Sequence, residues 1–491
     1  MSERHLARLA EDALERLGDR DAVFFEGQWL RAAPLHERMC RVSAGLREAG
    51  VRPGDRVVVV MANCPEVALT YGALWRAGAV ATPAIFLLPP GELRHIVTDS
   101  GAVGVVTTAE LLPGVRAAVE GLDLRWVVCV GDETDGVLPY AELEAAEPGG
   151  IVDRAAADPA ALLYTGGTTG RAKGVLLSHR ALWECGHAGH SASYVPGVVG
   201  TIMPLPLAHA FGLLVSVTGM HAVERTPVVL MRWFVPDEFL RLAAEHRMQR
   251  ATLVPTMLRL LLDQPLEDHD LSALRLVTCG SAPLPVDLAQ AFEARVPGVE
   301  VLEGYGLTET GGIATVNPPG ARRLGSVGRP VPGYEVRIEP DDEISVRGPG
   351  LMSAYWNDDA ATAAAMPDGW FRTGDLGRLD ENGYLYVVDR KKDLVIRGGF
   401  NVHPRDVEDA LLAHDAVAGA GVVGRPDPVL GEAVVAFVAL APGSTASPEE
   451  LAAHCVELLG KHKRVDEVRV VDAIPLTPIG KTDRKALRGR I

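Results

Sequence analysis

From Val57 to Leu302 the chain alternates two kinds of segment. Short, largely apolar runs occur at Val57–Met61, Val103–Thr107, Trp126–Val130, Ala161–Thr165, Val228–Met231, Ala251–Val254, Leu276–Cys279 and Val299–Leu302. Between most of them lie stretches with helical spacing, such as TYGALWRAGA after the first, Pro236–His246 and Val286–Arg295. A strand apolar at consecutive positions is covered on both faces, and intervening helices are what cover it. The pattern therefore predicts an α/β fold: a large N-terminal domain of stacked mixed and parallel sheets with helices. With 491 residues, 47% of them hydrophobic, the chain buries a large core without a disulfide or metal staple.

From about residue 320 the texture changes to short strands with Gly/Pro turns (GSVGRPVPGYEVRIEP), which predicts a small β-barrel or β-rich subdomain over about 320–388. A second boundary is expected near 389–392. Beyond it, helix Asp406–Ala413, strands Ala418–Val423 and Val434–Leu440 and helix Glu449–Leu459 read as a small α+β domain. Its last helix carries Ser447 as N-cap, Pro448 in the first turn, Glu450 three after the cap and Gly460 at the end. The expected division is thus 1–390 and 391–491.

The chain has 48 basic and 64 acidic residues, a net charge of −16, which argues against a nucleic-acid binder. Residues 391–491 hold 14 of each sign, so all the net charge lies in residues 1–390. The six cysteines are widely spaced with no CxxC pair, which predicts reduced thiols and a cytoplasmic protein. The N-terminal segment is charged throughout, with no apolar core of a secretory signal. Cys185–Val223 is free of Asp, Glu, Lys and Arg, but Pro and Gly interrupt it too often for a membrane span. It predicts a buried strand, loop and helix lining an apolar space. Cys185, His187 and His190 within it match no structural zinc spacing.

The segment LLYTGGTTGRAKGVLLSH (Leu162–His179) carries the strongest chemical signal. A strand ends at Thr165. Gly166, Gly167, Thr168, Thr169 and Gly170 follow, then Lys173 and a predicted helix. Glycines let successive backbone N–H groups approach an anion, and the lysine adds charge. It is not a Walker A loop, because Lys173 lies three past Gly170 and Gly174 follows it.

Together with EGYGLTET (Glu303–Thr310), GWFRTGDLG (Gly369–Gly377), DRKKDLVIRGGFNVHPRDVE (Asp389–Glu408) and PLTPIGKTDRKAL (Pro475–Leu487), this loop resembles the adenylate-forming superfamily. The nearest likeness is to fatty-acyl-CoA ligases, which share the YTGGTTG loop. Ala172 departs from the pattern, which usually has Pro there. The resemblance implies an acid–thiol ligase using ATP, Mg²⁺ and CoA: a carboxylic acid is adenylated with release of pyrophosphate, then a thiol displaces AMP. An acyl-AMP ligase that loads the phosphopantetheine of a carrier protein is the alternative. The short run from Pro332 to Trp370 lacks the insertion of long-chain acyl-AMP ligases and favours CoA. A homodimer is the default expectation for assembly.

The resemblance also implies roles. Glu309 would hold Mg²⁺, with Thr168 and Thr308 completing the phosphate and metal environment. Thr165, Gly166, Gly167, Thr168, Thr169, Gly170 and Lys173 would bind phosphate. Tyr305 would stack on adenine beside Glu303, Gly304 and Gly306, and Gly280, Ser281 and Ala282 would present backbone to its edge. Asp375 would accept from the ribose and Arg390 donate near it. Lys481 would be the catalytic lysine of adenylation, while Arg484, Lys485, Arg488 and Arg490 read as a solvated basic tail. Lys392 would be the hinge of a mobile C-terminal domain, whose Gly398, Gly399 and Phe400 line the CoA tunnel in its other orientation. His209 would gate the acyl site, lined by Phe211, Gly212 and Gly304. No acidic residue lies there to pair with an α-amine, so an apolar fatty or cyclic acid is expected in place of an amino acid.

Overall fold

The computed structural model describes residues 4–131, 136–165, 172–477 and 481–491. They form two compact units: Met1–Val336 with Val346–Phe371, and Arg337–Ser345 with Arg372–Ile491.

The apolar runs become the centres of two large sheets in the first unit. In one, Glu300–Tyr305, Leu276–Cys279, Arg250–Leu253, Thr201–Met203, Val228–Leu230 and Asp21–Phe25 are adjacent and parallel. In the other, the parallel series is Pro159–Thr165, Val80–Pro83, Arg56–Val60, Gly104–Thr108, Trp126–Val130 and Leu138–Pro139. Val57, Val58 and Val59 are wholly buried, as the unbroken apolar run requires. Each contributes about 1.5–3 kcal/mol of transfer free energy relative to exposure. Helix Pro236–Glu245 packs Phe239, Leu240 and Ala243 into the core of the first sheet, which also holds Val277 and Phe292.

One expectation is overturned beside the Gly/Thr segment. Lys173 does not lead into a helix. Lys173–Ser178 is a strand antiparallel to Pro159–Thr165, with Thr165 opposite Lys173. The helix starts at His179, where Ser178 Oγ accepts the Ala181 N–H. The physical reason is pairing on both sides: Lys173–Ser178 also takes Ala354–Tyr355 as an antiparallel neighbour. Residues 166–171 lie outside the described residues.

The β-rich stretch after 320 is made of short strands that divide among three sheets. Arg329–Pro330 and Ala354–Tyr355 join the two large ones, and Glu335–Ile338 and Glu343–Arg347 join Phe371–Leu379 and Leu385–Arg390. Most of that last sheet belongs to the second unit.

The second unit also has a sheet in the order Phe400–Val402, Val395–Arg397, Gly431–Leu440, Val417–Asp427, with Glu467–Val470 parallel to Gly431–Leu440. Helices Pro404–Leu412 and Pro448–Leu459 bury Val407, Leu411, Leu451 and Cys455 with Val422 and Val434. Ser447 and Glu450 form the expected reciprocal cap. All six cysteines are buried. No helix among the described residues is long and apolar enough to cross a membrane.

Candidate active site

In the first unit the candidate residues gather at the carboxyl ends of adjacent parallel strands, where open α/β sheets place ligands. Strand Leu276–Cys279 runs out into Gly280, Ser281 and Ala282, and its neighbour Glu300–Tyr305 carries Glu303, Gly304 and Tyr305, with Gly306 after it. A side chain at Gly280 would meet the Gly304 carbonyl at 3.4 Å and the Phe211 ring at 3.6 Å. These three expected residues are therefore neighbours. Ser281 holds φ +68, a left-handed conformation that costs a non-glycine residue about 1–3 kcal/mol. The turn is held by buried Glu303, whose Oε1 accepts the Leu284 N–H at 3.0 Å.

His209 caps helix Ala210–Met220, its Nδ1 accepting the Phe211 N–H at 3.3 Å. Gly212 is buried, and a Cβ there would strike the Pro206 carbonyl, so close packing accounts for this glycine. Asn63 carries no motif that marks it in the sequence. Its amide donates to Leu205 O (2.8 Å) and Met231 O (3.1 Å) and accepts from Leu207 N (2.8 Å). This side chain, 1% exposed, thus fixes the loop that presents His209.

Thr308 and Glu309 sit on the single turn Thr308–Thr310. Glu309 is buried, and its Oε1 accepts the Tyr355 hydroxyl at 3.0 Å. Lys173 Nζ lies 5.2 Å from the centre of the Tyr355 ring and 3.2 Å from Asp358 Oδ2. Burial first and the Glu309 charge second push the Tyr355 phenol far above its ordinary range, so it stays a donor. Lys173 and the buried carboxylate thus meet on one tyrosine, which sequence reasoning passed over. What places it there is strand register, a property of the fold: Tyr355 pairs with Val175, two residues past Lys173.

Among the described residues no three His, Cys, Asp or Glu side chains cluster as a metal cage. A single buried carboxylate fits Mg²⁺, which keeps water and substrate phosphates as its other ligands. Thr168, the other expected metal contact, lies outside the described residues.

In the second unit Asp375 and Arg390 are directly opposite each other across neighbouring strands, with Arg390 Nε 3.4 Å from Asp375 Oδ1. Lys481 is half-buried. Burial first and the Arg390 charge second lower its pKa to about 8, against the opposing pull of Asp375. Thr477 N–H donates to Lys481 O at 2.7 Å, and Lys481 N–H donates to Thr477 Oγ1 at 3.1 Å. Lys392 is exposed on the turn after Arg390. Gly398 (φ +56) and Gly399 (φ +83) make the two-residue turn between Val395–Arg397 and Phe400–Val402, a conformation that favours glycine at both places. Phe400 is 56% exposed.

The basic tail is not solvated throughout. Arg484 grips both oxygens of Glu408 at 2.7 and 2.8 Å, and Arg488 donates to Asp393 at 2.6 Å. Lys485 and Arg490 are exposed as expected. The sequence concealed these pairs because their acidic partners lie 76 and 95 residues away.

Residues 10–356 match the AMP-binding enzyme family and residues 406–481 its C-terminal domain. A feruloyl-CoA synthase from Amycolatopsis sp is 36% identical, over 96% of this chain and 95% of its own length. A long-chain-fatty-acid–CoA ligase from Bacillus subtilis (strain 168) is 32% identical, over 98% of this chain and 94% of its own. The structure of an amide bond synthetase from Marinactinospora thermotolerans superposes with a TM-score of 0.89 at 30% identity, covering 99% of this chain and 100% of that one. The sheet-end cradle, the buried Glu309 and the partly buried Lys481 are therefore those of a member of the AMP-binding enzyme family, within the adenylate-forming superfamily whose motifs the chain carries.

Proposed function

We propose that this chain is an AMP-forming acyl-CoA synthetase acting on an apolar carboxylic acid, fatty or cyclic. The observation that carries the reading is the meeting of Glu309 and Lys173 on Tyr355. It sets a buried anion for a divalent cation beside a cation for phosphate. In the first step a carboxylate oxygen bonds the α-phosphorus of ATP and the bond to the β-phosphate breaks, releasing pyrophosphate. In the second, the thiol sulfur of CoA bonds the acyl carbon, the thiol proton is lost and AMP leaves.

Glu309 is the residue that would hold Mg²⁺, which when bound neutralises phosphate charge. Thr165 and Lys173 flank the phosphates, and Tyr305 with Gly280, Ser281 and Ala282 holds the adenine. Asp375 and Arg390 hold the ribose, and Lys481 stabilises the charge that develops on carboxylate and phosphate oxygens. Gly398, Gly399 and Phe400 serve the thiol step, with Lys392 as the hinge that separates the two. The apolar preference rests on the Cys185–Val223 segment, which brings Phe211 to Gly280 and carries no acidic side chain that could pair with an amino-acid substrate.

The test is ATP–pyrophosphate exchange across a panel of fatty, aromatic and amino acids, followed by product analysis with CoA, with an amine and with a phosphopantetheinyl carrier protein. Exchange with apolar acids and an acyl-CoA product is expected. Exchange with amino acids alone contradicts the substrate class, and an amide or carrier-bound product contradicts the acceptor.

A further inference from the structure

Four contacts within the second unit surround Lys481. Leu476 and Thr482 form an isolated antiparallel bridge, and Asp483 N–H donates to Pro475 O at 2.8 Å. Asp483 then caps helix Arg484–Arg488, accepting the Ala486 N–H at 2.9 Å. Leu487 anchors the helix apolarly on Val423, Val435 and Phe437. Apolar burial holds a helix down but is non-directional and does not fix where the preceding lysine points.

The helix also carries ion pairs. Arg484 Nη2 donates to both oxygens of Glu408, at 2.8 and 2.7 Å, and its Nε donates to Val422 O at 3.3 Å. Glu408 also accepts the Val422 N–H at 2.8 Å. On the same helix Arg488 reaches Asp393, which is 4% exposed, and Arg484 Nη1 lies 3.7 Å from that carboxylate. Asp393 directly follows Lys392, and its N–H donates to Arg390 O at 3.0 Å. Buried Asp389 accepts the Arg405 N–H at 2.9 Å and adds its charge to the surroundings of Arg484. A charge-assisted hydrogen bond between arginine and carboxylate is directional and roughly twice as strong as a neutral one.

We propose that Glu408 and Asp393, through Arg484 and Arg488, are positioning residues for Lys481, fixing the lysine to the segment 389–393 about which the domain is proposed to turn. The proposal rests on the reading of Lys481 as the adenylation lysine. It assigns an adenylation-specific role to four residues that touch no substrate. Burial raises the Glu408 carboxyl toward about 7 while Arg484 opposes it, so the pair is needed to keep the charge in place.

Single-turnover adenylation, and thioester formation from supplied acyl-AMP and CoA, are to be measured in Arg484→Met, Glu408→Gln, Arg484→Lys and Lys481→Ala. Adenylation is expected to fall at least about ten-fold in Arg484→Met and in Glu408→Gln, as displaced catalytic groups do. The thioester step is expected to stay within about three-fold in both variants, and Arg484→Lys to recover part of the loss. A readout that a purely structural role would not move is the alkaline limb of adenylation. Lys481 stabilises charge only when protonated, so the wild-type rate falls as pH rises through about 8. Arg390 and Asp375 are the charges facing it. A lysine released from that position moves the limb upward in Arg484→Met and in Glu408→Gln.

Equal loss in both steps, or an unmoved limb in folded protein, overturns the positioning role while Lys481→Ala remains step-selective. If Lys481→Ala is itself unselective, the lysine assignment fails and the proposal with it. Should Arg484→Met not fold, the isosteric Glu408→Gln decides between the same outcomes.

Discussion

The two units hold their candidate residues by different physical means. In the first, position comes from topology: parallel strands end side by side, and Gly280, Gly304 and Tyr305 follow from register, with one buried amide and one tyrosine as braces. In the second, position comes from charge. Asp375 faces Arg390, and the helix after Lys481 is oriented by Glu408 and Asp393. A cradle built on sheet register is rigid by construction. A lysine held by ion pairs keeps its place only while every member of the set is present and ionised. The first arrangement suits binding a nucleotide and the second suits a group that must be presented for one step alone.

Four substitutions probe that contrast. The largest effect is expected from Glu309→Gln, which removes the buried anion. Adenylation should fall by about 10²–10³-fold, the scale for losing one electrostatic contact to developing charge. ATP affinity measured calorimetrically should lose its dependence on Mg²⁺. Asn63→Ala leaves two carbonyls and one N–H of the His209 loop unpaired, at about 1–3 kcal/mol each for fully buried groups. Thermal unfolding should show the first unit destabilised and the second unchanged.

Tyr355→Phe keeps the ring under Lys173 and deletes only the hydrogen bond to Glu309. About ten-fold weaker Mg²⁺-dependent ATP binding is expected, from a bond to a charged group of about 1.5 kcal/mol. Unchanged Mg²⁺ dependence would remove Tyr355 from the account of Glu309. The smallest effect belongs to Ser447→Ala, which opens the cap of Pro448–Leu459 at a cost of about 1 kcal/mol. It should lower the stability of the second unit, read by denaturant titration, with no change in either half-reaction.

The sequence was most legible where periodicity governs. Strand Leu276–Cys279 and helix Val286–Arg295 lie where their patterns predict them, because each forms from its own apolar spacing. The cap at Ser447 was readable for the same reason: its partners are three residues apart. Legibility failed where the deciding partner is distant. Lys173–Ser178 is a strand because Ala354–Tyr355 pairs with it, more than 170 residues on. Arg484 resembled a tail residue because Glu408 is 76 residues earlier. Tyr355 was invisible as a partner of Glu309, since nothing in a single sequence joins a tyrosine to a carboxylate 46 positions away. The motifs thus marked which side chains matter, while the braces beneath them emerged only from the fold.

The central claim is that Lys481 serves adenylation and not thioester formation. Its most direct test is the rate of each half-reaction in Lys481→Ala, measured separately by ATP–pyrophosphate exchange and by conversion of supplied acyl-AMP with CoA. The account predicts that exchange falls by about 10²–10³-fold, as for loss of a charge-stabilising contact, while the thioester step continues at close to the wild-type rate. Equal loss in both steps, or exchange that persists without the lysine, would contradict it.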